Sequence, residues 1–118
     1  MNWGREEYFS IGLKLRELRH IFMARTEMLP LNWKPWFVDG DYRCSLCNLK
    51  ADENVEHFIL FCPVLKEFRL REFGNVNIAL NYSVNDVLKG YIGWKALADY
   101  TFRALAYRQE LIEEFNFN

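Results

Sequence analysis

Residues 44–63, CSLCNLKADENVEHFILFCP, hold all three cysteines of the chain and one of its two histidines. The spacing is C-x2-C-x9-H-x4-C. Two cysteines separated by two residues fit a tight turn with both sulfurs aimed at one point. His57 and Cys62, five apart on a predicted helix, face the same side if one sits near its end. Cys44, Cys47, His57 and Cys62 then form four ligands. Three thiolates and an imidazole complete a tetrahedral set around one Zn2+ and leave no position for water, which points to a structural rather than a catalytic ion. The alternative is that the cysteines are ordinary small core residues and His57 an incidental helical histidine. Three cysteines cannot all pair within one chain, and in a reducing compartment such a cluster more often binds metal than forms disulfides. The polar NLKADENVE links a short cysteine-bearing β-hairpin to a helix that begins near Glu53 or Asn54. Between the last two ligands lie Phe58, Ile59 and Phe61, of which at least two should bury against the first or last helix.

Outward from this knuckle the chain reads as helical. Tyr8, Ile11, Leu15, Leu18 and Phe22 recur at steps of three or four, which predicts an amphipathic helix over 5–24 with that stripe toward the core. Lys14, Arg16, Arg19 and His20 fall largely off the stripe, and His20 reads as solvated. MLPLNWKPWFVDGDYR, with two prolines and a glycine among aromatics, reads as an irregular connector. Trp33, Trp36 and Phe37 are either core anchors or an exposed platform. Pro63 suits the first turn of a helix, PVLKEFRLREF, that stops at Gly74. Ser83 caps SVNDVLKG, with Asp86 three residues on and Gly90 as terminator. A last helix runs from about Trp94 to Phe115, with Trp94, Ala98, Phe102, Leu105 and Ile112 on one side, and with Arg108, Glu110, Glu113 and Glu114 exposed. The fold expected is mainly α: one small zinc-stapled helical domain over 1–118, with its zinc-knuckle β-hairpin in 44–62. No repeat, low-complexity run or linker divides it.

The bulk numbers agree with one domain. A chain of 118 residues, 51% apolar, can bury one core. Fifteen Lys and Arg against sixteen Asp and Glu leave a net charge of -1, so no global cationic field drives nucleic-acid binding. No apolar run has the length of a membrane span, and the N-terminus lacks the charged and apolar segments of a signal peptide. The chain reads as intracellular, in cytoplasm or nucleus, with no membrane or small-molecule partner.

KLRELRHIFMARTEMLPLNWKPWF followed by CSLCNLKADENVEHFILFCPVLKEFR resembles the C-terminal zinc-binding region of non-LTR retrotransposon reverse transcriptases. There an arginine-bearing helix and an LPLN-like turn precede a Cys-Cys-His-Cys knuckle that ends in EH, apolar residues and CP. The likeness covers about residues 12–70 and is most specific in EHFILFCP. It implies that Cys44, Cys47, His57 and Cys62 ligate zinc and that the region engages RNA or target DNA. The middle spacer is at the longer end of the family's range and longer than in retroviral zinc knuckles, so their RNA-binding geometry does not transfer. The chain has no paired aspartates of the polymerase kind and no endonuclease constellation, so no enzyme is expected. It is a piece of such an element or a free-standing descendant; Met1 with a whole predicted helix after it suits the descendant.

Two functional classes remain. The first is a nucleic-acid-binding accessory module. Residues 11–36 hold five basic residues, Lys14, Arg16, Arg19, Arg25 and Lys34, against Glu17 and Glu27. Phe22, Trp33 and Trp36 are available there for stacking on bases. The second is a protein-interaction domain, which the near-neutral charge and the acidic QELIEEFNFN favour.

Overall fold

The computed structural model describes residues 13–32, 42–47, 51–74 and 77–115. Among the described residues four α-helices carry the fold: α1 (Leu15–Arg25), α2 (Lys66–Phe73), α3 (Val84–Leu88) and α4 (Trp94–Phe115). A π turn, His57–Phe61, and 3-10 turns at Pro63–Leu65 and Ile78–Leu80 join them. α1 and α2 both pack along α4, which acts as the spine. No helix among the described residues is long and apolar enough to cross a membrane.

The punctuation of the chain sets the element ends. Pro63 opens the 3-10 turn that leads into α2, and Gly74 closes α2 at φ 76°. Ser83 Oγ accepts from the Asp86 N–H while Asp86 Oδ2 accepts from the Ser83 N–H, a reciprocal cap on α3. Gly90 follows α3 at φ 82°, and a Cβ there would meet the Trp94 ring at 2.5 Å, so the turn into α4 admits only glycine. α1 ends in a Schellman arrangement, Met28 N–H to Met23 O and Glu27 N–H to Ala24 O. Glu27 takes the left-handed position at φ 57°, and the chain then turns inward to bury Leu29 and Leu31.

Two helix faces differ from the sequence expectation. In α1 the buried line is Glu17, Ile21 and Ala24, while Leu15 is 82% and Phe22 40% exposed. The helix is thus rotated by about one residue, roughly 100°, from the expected stripe. Glu17 faces inward with partners, the Lys14 N–H donating to its Oε1 and Lys95 of α4 pairing with its Oε2, and this carries Leu15 and Phe22 outward where hydropathy alone would bury them. Residues 5–12 of the expected helix, with Tyr8 and Ile11, lie outside the described residues.

In α4 the core takes Trp94 and Ala98 of the expected side, with Leu105 packed against it, but its line runs on through Leu97, Tyr100, Thr101, Ala104 and Arg108 rather than through Phe102 and Ile112. Phe102 is exposed, and Leu105 and Ile112 are half-buried. Small Ala104 lets α4 approach closely, and Thr101 turns its hydroxyl onto Leu97 O at 2.8 Å, so burial leaves no donor orphaned. Tyr100 fills the centre, with Phe58 at 5.5 Å and Phe73 at 4.9 Å between ring centroids. Its hydroxyl donates to Phe58 O. Burial raises the Tyr100 pKa, against the pull of nearby Arg69, so the phenol stays a donor.

Candidate metal centre

The knuckle is built from three local devices. A single antiparallel bridge, Arg43 with Asp52, closes the first arm, supported by Cys44 N–H to Ala51 O at 2.9 Å and Glu53 N–H to Tyr42 O at 2.8 Å. The expected β-hairpin is not seen: among the described residues there is one bridge and no strand, and residues 48–50 of its turn lie outside them. The Leu46 N–H then points back at Cys44 Sγ, 3.4 Å away, which folds the Cys-x-x-Cys turn. On the second arm Asn54 Oδ1 caps the His57 N–H at 2.9 Å.

The third device resolves the five-residue gap between His57 and Cys62. On an α-helix, residues five apart diverge around the axis. Here the Cys62 N–H bonds His57 O at 2.8 Å, an i→i+5 turn that sets Cys62 over His57. The same turn buries His57, Phe58, Ile59 and Leu60 in succession and turns out Phe61, which is 49% exposed. Of Phe58, Ile59 and Phe61 the first two are therefore in the core, as expected, together with Leu60, and Phe61 is the one left out.

The four ligand atoms lie within 4.8 Å of one another, close enough to hold one metal ion. Cys44 Sγ and Cys62 Sγ are 3.9 Å apart, and Cys47 Sγ is 3.4 Å from His57 Nε2, which identifies the ring nitrogen that faces the site. Cys44, His57 and Cys62 are buried and Cys47 half-buried. The two buried thiols are unequal acids. Cys44 is pushed up to about 12 by its hydrogen bond with Cys62 and by burial, while accepting that bond holds Cys62 below the ordinary thiol value, aided by the Val64 N–H. A proton held between two sulfurs is what a divalent cation displaces on binding.

The sequence reading missed the groups behind the ligands. Glu53, 1% exposed, has Oε2 3.7 Å from Cys44 Sγ. Arg108 of α4 grips both of its oxygens, Nε to Oε2 at 2.8 Å and Nη2 to Oε1 at 2.6 Å. Asn32 completes the set: its N–H donates to Glu53 Oε1, its Oδ1 accepts from Arg108, and its Nδ2 reaches Arg43 O and Ser45 Oγ. Arg108 is therefore buried, not exposed as expected, because this carboxylate draws it in. A signal existed in the helical step Leu97–Thr101–Ala104–Arg108, which puts it on the core line. Arg69 ties α2 to the same corner, Nη2 to Cys62 O at 2.6 Å.

The basic residues expected to meet nucleic acid divide. Lys14, Arg16 and Arg19 are exposed along α1. Arg16 and Arg19 edge a groove of about 960 Å³ with Leu15, Leu18, Phe22 and Met23 on its apolar part. The Arg16 guanidinium lies 4.2 Å over the ring of Phe102 on α4. His20 is half-buried rather than solvated: its Nδ1 meets Arg16 O at 2.8 Å and its ring stands edge-on to Phe102 at 5.4 Å. Arg25 points elsewhere, toward Trp94 at 5.9 Å. Trp33, Lys34 and Trp36 lie outside the described residues. No family model matches the chain, and neither a curated protein nor a solved structure matches it.

Proposed function

We propose that the protein is a non-catalytic, zinc-stapled accessory module that binds RNA or DNA through the basic face of α1. Tetrahedral zinc with Zn–S near 2.3 Å and Zn–N near 2.0–2.1 Å has S···S edges of about 3.8 Å and S···N edges of about 3.6 Å. The 3.9 Å and 3.4 Å separations at the knuckle fit such an ion. Four protein ligands fill the set and favour a structural ion. The Leu46 and Val64 N–H groups on Cys44 and Cys62 would lower the basicity of bound thiolates. This agrees with what the resemblance of residues 12–70 to the reverse transcriptase region implies.

The observation that carries the binding role is Arg16 lying on Phe102 beside exposed Arg19 and an apolar groove: cations for phosphates next to surface for bases. Titration of the zinc-loaded chain with single-stranded RNA, single-stranded DNA and duplex DNA across a salt series tests it. Replacing Arg16 and Arg19 together by alanine should weaken all binding and lower the slope of log affinity against log salt by up to about two. No binding at low salt, or a double variant that binds as the parent does, removes the proposal. The second reading, a protein-interaction domain, draws on exposed Phe61, Leu70 and Leu80, with Glu110, Glu113 and Glu114 exposed on α4.

A further inference from the structure

Arg16 is held differently from an ordinary surface arginine. Its own carbonyl fixes His20 through Nδ1, the His20 ring braces the edge of Phe102, and the Phe102 face supports the Arg16 guanidinium. Three contacts close a loop across α1 and α4. A solvated arginine gives up rotamer freedom on engaging a ligand, and this one has given it up already. It borders an apolar surface made by Leu15, Leu18 and Phe22.

A paired duplex offers such a surface little. Its bases are stacked on one another, and its accessible exterior is phosphate, which gains nothing from exposed leucine and phenylalanine. An unstacked base has two apolar faces and a phosphate on either side. It matches a guanidinium plane on an aromatic ring, an apolar floor, and a second cation, Arg19, on the same groove. Resting on the nucleic-acid reading above, we infer that the Arg16–Phe102 stack is a base-stacking platform that selects single-stranded over duplex nucleic acid. The platform reads base faces and does not by itself separate ribose from deoxyribose.

The test is fluorescence anisotropy of the zinc-loaded full chain with a labelled oligo-U, an oligo-dT of the same length and a duplex of the same number of base pairs. Both single strands should bind at least about 10-fold more tightly than the duplex. Arg16→Lys keeps the charge and removes the plane. It should cost the single strands about 5-fold or more, the lower bound for one stacked base, while leaving the salt slope and duplex affinity unchanged. Phe102→Leu should do the same, and if it disturbs folding by circular dichroism, Arg16→Lys decides alone. Duplex binding equal to single-strand binding, or single-strand affinity unmoved by Arg16→Lys, overturns the platform while the nucleic-acid reading stands. Absence of binding to all three probes at low salt overturns both.

Discussion

The knuckle corner and the outer face of α1 treat polar groups in opposite ways. At the corner, Glu53, Arg108 and His57 are buried and each is engaged by named partners. On α1, Leu15 is largely and Phe22 partly exposed beside Arg16 and Arg19. Among the described residues the buried charges of the corner are paired within it, whereas on α1 charged and apolar side chains share an exposed face. Buried networks of the first kind fix a structure because each member is costly to strand. Surfaces of the second kind contribute little to stability and are where contact with another molecule is available.

The largest effect should come from the metal. Structural zinc contributes on the order of 10–16 kcal/mol of apparent binding free energy, against about 5–15 kcal/mol of net stability for a domain. Chelation should collapse the thermal transition of the protein, and metal analysis should find one zinc per chain. Less than about half an equivalent, with an unchanged melting curve in chelator, would erase the closed corner as a distinct region.

Next are substitutions within the corner. Arg108→Ala should cost about 3–5 kcal/mol in denaturant unfolding, because it strands Glu53 in the interior. The double variant with Glu53→Ala should cost less than the sum of the singles, and strict additivity would show that the two do not act as a pair. Phe58 and Phe61 sharpen the contrast within a single turn. Phe58→Ala should cost about 3–5 kcal/mol and Phe61→Ala under about 1 kcal/mol, since one is 1% and the other 49% exposed. Equal costs would contradict the π register.

The smallest effect concerns the underside of α1. The hydrogen bond from Lys95, and then that from the Lys14 N–H, hold the Glu17 carboxyl below its ordinary value of 4.5. A lowered carboxyl contributes stability above pH 4.5 and loses it as pH falls through the still lower folded value. With Lys95 largely in water, solvent screening keeps the contribution small. The melting temperature of the parent should exceed that of Glu17→Gln near pH 6, and the gap should close below 4.5. Comparing the two at each pH cancels the loss of metal in acid, which both share.

What the sequence made legible was local. The four residues that gather at the candidate metal centre stood out by spacing, and Pro63, Gly74, Ser83 with Asp86 and Gly90 marked where helices stop and start. The faces of α1 and α4 were legible only in part, because they also depend on polar residues whose partners are far along the chain. Glu17 is paired with Lys95, 78 residues away, and Arg108 with Glu53, 55 residues away. Hydropathy sends such residues outward; only the partner explains why they go in. The turn spacing leads to the expectation of a hairpin in the knuckle arm; the described residues show one bridge there, with the Leu46 N–H folded back on Cys44 Sγ.

Those separations also bear on the order in which the molecule assembles. The ligands span only 18 residues, a loop short enough to close early, whereas Arg108 must find Glu53 across 55. The corner can therefore nucleate before α4 docks onto it. If it does, removing the arginine should leave the refolding rate near that of the parent and speed unfolding, since its contacts form after the barrier. The late arrival of one side chain would then make Arg108 a determinant of how long the protein stays folded rather than of how fast it gets there.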